Sequence, residues 1–258
     1  MNPSVALLDV QQASRSFGGL KALTDINIEI FDGELVGLIG PNGAGKTTLF
    51  NLLTGVYEPS EGKILLAGES IGGMKPYKIS HRGASRTFQN IRLFSSMTVE
   101  ENVMIAYHQH AKHGVLSSLV RLPRYFKGES EIRERARELL KIFKLDHLRD
   151  EQSMNLSYGN QRRLEIARAM ASNPKLLLLD EPAAGMNPQE TKELMELIRW
   201  IRQEFKMTIL LIEHDMSLVM GVCDRIYVLD RGIQIADGTP LEIRNNPKVI
   251  EAYLGKEA

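Results

Sequence analysis

The sequence predicts an α/β fold: a mixed, mainly parallel core sheet, an antiparallel β subdomain beside it, and an inserted α-helical lobe. Continuous apolar runs of strand length, LLLL at 176–179 and ILLI at 209–212, alternate with helical segments, as in parallel strands covered on both faces. A glycine-rich turn, GPNGAGKTT, separates an apolar strand from a helix. Region 90–160 reads instead as helical. The expected organisation is a single domain over 1–258, with a core lobe of 1–89 and 161–258 and a helical lobe of 90–160.

In chain order, strands are expected at 7–11, 26–31 and 34–39, then a helix from the glycine-rich turn to about Thr54, then a strand at 63–68. Thr98 opens TVEE, a capping box before an apolar run, and ESEIRERARELLKIF gives an amphipathic helix with charge pairs one turn apart. Between them AKHGVLSSLVRLPRYFKG is mixed. Its Leu116, Leu119, Val120, Leu122, Tyr125 and Phe126 read as packing residues, since Pro123 and Gly128 interrupt a membrane-lying helix. In NLSYGNQRRLEIARAM, Leu164, Ala167 and Ala171 share a helical face and Ser157 is the N-cap. The first turn carries no acid, so the positive end of this helix calls for an anion from elsewhere. LLLLD and MTILLIE are buried strands, and Asn187-Pro188 opens a long helix to about Phe205. The tail reads as a hairpin about Asp230, Arg231 and Gly232, with short helices from near Thr239 and Pro247.

Composition narrows the function. Lysine plus arginine equals aspartate plus glutamate at 32 each, so no overall positive field draws a nucleic acid, and any anion is held by a local device. The one cysteine, Cys223, forms no internal disulfide and reads as a small buried apolar residue, which fits a reducing compartment. No apolar run approaches the roughly 20 residues that cross a bilayer. The start MNPSVALLDVQQ lacks a secretion pattern, so a cytoplasmic address is expected. His108, His110 and His113 are spaced poorly for a metal and read as a solvated polar segment.

GPNGAGKT, Gly40 to Thr47, fits the phosphate-loop pattern in its confirming context of strand before and helix after. Its glycines let backbone amides and a helix N-terminus face a phosphate chain; Lys46 would reach the β and γ phosphates, and the Thr47 hydroxyl would ligate Mg²⁺. LLLLDE ends in two acids. Asp180 is placed to hold the Mg²⁺ hydration shell and Glu181 to accept from an attacking water, although acids at a strand end also serve as helix caps. His214 follows the second apolar strand, where a polar tip beside the phosphate loop can contact the γ-phosphate or be structural. Gln89, in RTFQN, is a neutral side chain able to reach Mg²⁺ or water.

Phe17, GPNGAGKT, RTFQN, LSYGNQ, LLLLDEP and IEHD occur in that order, and in this the sequence resembles the nucleotide-binding domains of the ATP-binding cassette family over nearly its whole length. The resemblance implies a phosphate-loop ATPase binding ATP and Mg²⁺. The nucleotide would be held by Phe17 under the adenine and by Gly40, Pro41, Asn42, Gly43, Ala44, Gly45, Lys46, Thr47 and Thr48, with Thr47, Gln89 and Asp180 around the metal. Glu181 and His214 would be catalytic. It implies that two cassettes face head to tail, so that Ser157, Gly159 and Asn160 meet the γ-phosphate carried by a partner subunit, which is the anion the helix lacks. Tyr158 and Asn187 depart from the family pattern, which has glycine and aspartate there.

The ending GTPLEIRNNPKVIEAYLG and SRTFQNIRLF are most similar to ATP-binding subunits of branched-chain amino-acid importers. That implies a second ATPase subunit, membrane permease subunits, an indirect substrate-binding protein, and a peripheral place on the cytoplasmic face of the cell membrane. Cassettes for urea, other amino acids or lipopolysaccharide export share much of this tail. A soluble chromosome or ribosome ATPase would need a coiled-coil insertion, a second cassette or a basic face.

Overall fold

The computed structural model describes residues 5–109 and 123–254. It opens with a hairpin of β1 (Leu8–Phe17) and β2 (Leu20–Ile30), in which Phe17 pairs with Leu20 across Gly18 and Gly19. Periodicity reveals only the distal half of each strand. Gln12 and Asp25, both at φ 50°, lie within register shifts of the ladder, and such bulges scramble the inward–outward alternation. With β4 (Glu61–Leu66) and β5 (Glu69–Ser70) they form an antiparallel sheet in the order β2-β1-β4-β5.

The core sheet holds β3 (Leu35–Ile39), β6 (Ala84–Arg86), β7 (Leu176–Asp180), β8 (Thr208–Ile212), β9 (Arg225–Asp230) and β10 (Ile233–Gly238) in the order β10-β9-β3-β8-β7-β6. Every neighbouring pair is parallel except β10 with β9. That hairpin turns through Arg231 (φ 47°) and Gly232 (φ 78°); two successive left-handed residues match the twist of the flanking strands. The chain is therefore α/β, with parallel and antiparallel components as expected.

Alternate residues of the core strands enter two separate apolar cores. Leu35, Ile39, Leu177, Leu179, Ile209, Leu211, Ile226 and Val228 face one, while Val36, Leu38, Leu176, Leu178, Leu210, Ile212 and Leu229 face the other. The first face is covered by α3 (Val99–His108), α4 (Pro123–Ile142), α5 (Tyr158–Ala171), α6 (Pro188–Phe205) and α7 (Met216–Val222). The second is covered by α1 (Lys46–Leu53) and by the inner face of the antiparallel sheet. Burial on both faces is why these strands read as unbroken apolar runs.

Helix starts follow local capping. Thr98 and Glu101 form a reciprocal capping box, as do Asn187 with Glu190 and Thr239 with Glu242 at α8 (Pro240–Arg244). Helix α2 (Pro76–His81) and strand β6 were not expected from the pattern. Helix α4 corrects a further expectation: Pro123 is its first residue, where a missing N–H is harmless, and Gly128 lies within it rather than ending it. His110, His113, Leu116, Leu119, Val120 and Leu122 lie outside the described residues, as do the side chains of Tyr125 and Phe126. His108 sits 3.5 Å from Glu129, and among the described residues no group of His, Cys, Asp and Glu could hold a metal. No described helix is long and apolar enough to cross a membrane. Cys223 is buried, which pushes its thiol well above the ordinary range and leaves it inert.

Because Leu211 is fully buried under the helices, Leu211→Ala is expected to lose about 2–5 kcal/mol through lost transfer and a residual cavity. A fall in urea midpoint at constant m-value is the measurement.

Candidate active site

The phosphate loop leaves β3 at Gly40, whose φ is 152° and where a Cβ would stand 2.1 Å from the Leu229 carbonyl oxygen. Only glycine fits that approach. Gly45 is the left-handed N-cap of α1 at φ 101°, and the loop is tied down where Gly232 donates its N–H to the Ala44 carbonyl at 3.0 Å. A cavity of about 580 Å³ opens above it, lined by Leu20, Lys21, Ala22, the run Asn42 to Thr48, Gln89, Glu181 and Arg231. Lys46 is 8% exposed and donates to the carbonyls of Gly40 (2.6 Å) and Pro41 (3.0 Å). Burial lowers its pKa, and the charges of Glu181 and Asp180 oppose that fall without reversing it.

Asp180 ends β7 almost fully buried and pairs with Arg86 at 2.6 Å. The other terminal nitrogen of Arg86 donates to Asn51 Oδ1 at 2.8 Å, and its guanidinium lies about 5 Å from the rings of Phe50 and Phe88. Sequence reasoning missed Arg86. Only the register of β6 beside β7, which sets Arg86 opposite Leu178, delivers it to Asp180.

Glu181 follows in a left-handed conformation, φ 45°, with its N–H donated to the Ile212 carbonyl. Its Oε2 accepts from Gln89 Nε2 at 2.8 Å, and His214 Nδ1 stands 3.8 Å from the same oxygen. Three residues from distant stretches of sequence thus meet at one carboxylate. Beneath them Glu213, 1% exposed, accepts the Ala183 N–H at 2.9 Å and lies 3.8 Å from His214 Nδ1. Burial raises the Glu213 pKa and nearby Glu181 adds to the rise, opposed by the Ala183 and His214 amides and the His214 ring.

Phe17 is partly exposed, packs edge-on to Tyr57 with centroids 5.0 Å apart, and carries the Arg15 guanidinium 4.6 Å from its ring. It does not line the 580 Å³ cavity, and neither do Ser157, Gly159 and Asn160. Ser157 caps α5 as expected, its Oγ accepting from the Asn160 N–H at 3.4 Å. The first turn of α5 carries no acid of its own, as expected, and the Glu190 carboxylate from α6 comes near Gly159, with Oε1 3.1 Å from where a Cβ would be. Tyr158 turns its ring onto Gly185 and accepts from Arg162 Nη2 at 3.3 Å. Asn187, at the position of the family aspartate, is engaged as the N-cap of α6.

Residues 23–184 match the ABC transporter family. The chain belongs to that family. It is accordingly a nucleotide-binding, ATP-hydrolysing transporter subunit, the ATPase component of a system with membrane permease partners. Residues 234–258 match a second family, the branched-chain amino acid ATP-binding cassette transporter. The high-affinity branched-chain amino acid transport ATP-binding protein LivG of Escherichia coli (strain K12) is 52% identical over 98% of this chain and 99% of its own. BraF of Pseudomonas aeruginosa, described in the same words, is 48% identical over 97% and 98%. The lipopolysaccharide export system ATP-binding protein LptB of Haemophilus influenzae is 34% identical over 98% and 99%. Among solved structures, the ADP conformation of an ATP-binding cassette of an ABC transporter superposes with a TM-score of 0.84 at 32% identity, covering 97% of this chain and 99% of that one.

Arg86→Gln leaves Asp180 buried without its cation and is expected to destabilise the protein by about 3–5 kcal/mol, read by denaturant unfolding. Glu213 supplies a pH test. A carboxyl whose folded pKa is raised holds its proton where the unfolded chain has lost it, so its contribution is present at and below the ordinary glutamate range and is lost as pH rises through the folded value. Glu213→Gln retains an acceptor for Ala183 and is expected to flatten the decline in stability above that range, measured by urea unfolding from the glutamate range to neutrality.

Proposed function

We propose that this ABC subunit hydrolyses Mg-ATP as one half of a two-cassette assembly and powers the import of branched-chain amino acids through membrane permease subunits. In this reading the triphosphate lies along Gly40 to Thr48 with Lys46 against its terminal phosphates, and Phe17 supports the adenine. Glu181 accepts a hydrogen bond from the attacking water and aligns it in line with the γ-phosphorus, and His214 stabilises the transferring group. Ser157, Gly159 and Asn160 meet the γ-phosphate held by the second subunit, their helix N-terminus serving as an anion site in trans.

The Thr47 hydroxyl, the Asp180 carboxylate and the Gln89 amide are the hard donors that would hold Mg²⁺. One carboxylate with neutral oxygens suits an ion bound chiefly through phosphate rather than by a protein cage, and no such cage occurs among the described residues. When bound, Mg²⁺ neutralises charge on the β and γ oxygens.

The observation that carries the hydrolytic reading is the meeting of Gln89 and His214 on Glu181 Oε2 beside the phosphate loop. The substrate class rests on the relatives: identity is 52% to LivG against 34% to LptB, and residues 234–258 match the branched-chain amino acid ATP-binding cassette transporter family. By the same reading the chain sits at the cytoplasmic face of the membrane, the 90–160 lobe carries motion to the permease, and a substrate-binding protein acts on the outer side.

Glu181→Gln is expected to keep ATP affinity and lose at least about a hundredfold in steady-state turnover, the scale of a general base. Undiminished ATPase would exclude Glu181 as that base. A pull-down from solubilised membranes should retrieve permease subunits with a second cassette, and ATP-driven uptake of leucine by the reconstituted assembly should fail with Glu181→Gln.

A further inference from the structure

Helix α5 holds a buried ion pair that the reaction itself does not require. Arg162 is 0% exposed and Glu165 1% exposed, and they meet at 2.7 Å. Both are also bonded to the backbone of the loop that carries Gln89. Arg162 Nη1 donates to the Phe88 carbonyl and Nη2 to the Gln89 carbonyl, each at 2.6 Å. Glu165 Oε1 accepts the N–H groups of Arg92 at 3.1 Å and Phe88 at 3.4 Å. A single turn of α5 therefore grips loop 88–92 in both senses, its carbonyls by a cation and its amides by an anion.

We propose that Arg162 and Glu165 are positioning residues that fix loop 88–92 to helix α5, so that whatever moves the Ser157 end of α5 resets Gln89 against Glu181. The proposal rests on the roles given above to Gln89 and Glu181. Stability alone does not account for the pair, because a buried ion pair is often no better than well-packed apolar residues, and Arg162 Nε is left buried without a partner. What apolar residues cannot do is hold peptide groups in a set orientation. The planar guanidinium spans the Phe88 and Gln89 carbonyls in one rigid fork, which a lysine ammonium cannot reproduce.

The connection is continuous at both ends. Toward the helix N-terminus, Arg162 Nη2 also donates to the Tyr158 hydroxyl at 3.3 Å, and Tyr158 immediately follows the Ser157 cap. Toward the cavity, the held Gln89 backbone directs its side chain to Glu181 Oε2 at 2.8 Å. An anion arriving at Ser157 and Gly159 would bias α5, and the rigid pair would pass that bias to the carboxylate of the same chain. Each protomer would then sense at one nucleotide site and respond at the other, through one turn of helix.

The test uses the purified full chain with Arg162→Lys, Glu165→Gln and the paired replacement R162M/E165L. ATP kcat and KM, thermal midpoint, and hydrogen–deuterium exchange by segment are read for each. In Arg162→Lys, kcat is expected to fall at least about tenfold with KM changed less than about twofold, since the phosphate loop is untouched. Exchange should rise at 88–92 and stay unchanged in β3 and α1. If Arg162→Lys fails to fold, the apolar pair carries the test, because it removes the buried charges together and still releases the loop. Wild-type kcat with unchanged exchange at 88–92 in a folded variant overturns the proposal. So does a loss of activity that only follows the folded fraction, with exchange rising evenly in every element. Glu181→Gln run in parallel separates the two claims: turnover retained there removes the site reading beneath the proposal, whereas an inactive Glu181→Gln beside a fully active Arg162→Lys sinks the positioning role alone.

Discussion

The parallel register of β3, β8 and β7 is the constraint on which the rest depends. Leu38 pairs with Ile212 and Ile212 with Asp180, so the three strands end on one line across the sheet. Just past that line the chain emits Gly40 from β3, Glu181 from β7 and His214 from β8. A slip of one residue in either pairing would turn every core leucine of the slipped strand toward the wrong apolar core as well as moving the chemistry. The same burial that fixes the register therefore aligns the phosphate loop with the acids. This is the general place for ligands in parallel α/β sheets, where strand ends and helix N-termini share an edge.

Charge is managed at that edge by pairing. Asp180 lies against Arg86, Lys46 against the carbonyls of its own loop with two acids nearby, and Glu213 among backbone amides. Isolated charges at such depth would be costly or would neutralise. These side chains therefore sit in set orientations, and under the proposed function pre-set donors and acceptors would need little reorganisation when phosphate charge arrives.

Helix α5 plays a different part. It touches the cavity with none of Ser157, Gly159 or Asn160, yet it grips the loop that supplies Gln89. Its own first turn carries no acid, and Glu190 from the start of α6 comes near Gly159 while its carboxylate closes the α6 capping box with Asn187. Both departures from the family pattern have structural partners here: Tyr158 joins Arg162 and Gly185, and Asn187 caps α6.

Much of this was legible from the sequence by itself. The buried strands, the phosphate loop, the capping boxes at Thr98 and the N-cap at Ser157 follow from period, glycine placement and side chains that bond within a few residues, all of which are local. The same holds for the order of motifs that identifies the family. Tertiary structure alone decided the bulged halves of β1 and β2, the passage of α4 through Gly128, the partner of Arg86, and the bonds that join Arg162 and Glu165 to loop 88–92. An arginine in RTFQN or QRRLE reads the same whether it faces water or a buried carboxylate. The Asp180 carboxylate that Arg86 meets and the Phe88 and Gln89 carbonyls that Arg162 meets lie far along the chain, and only the folded sheet and helix packing bring them within 3 Å.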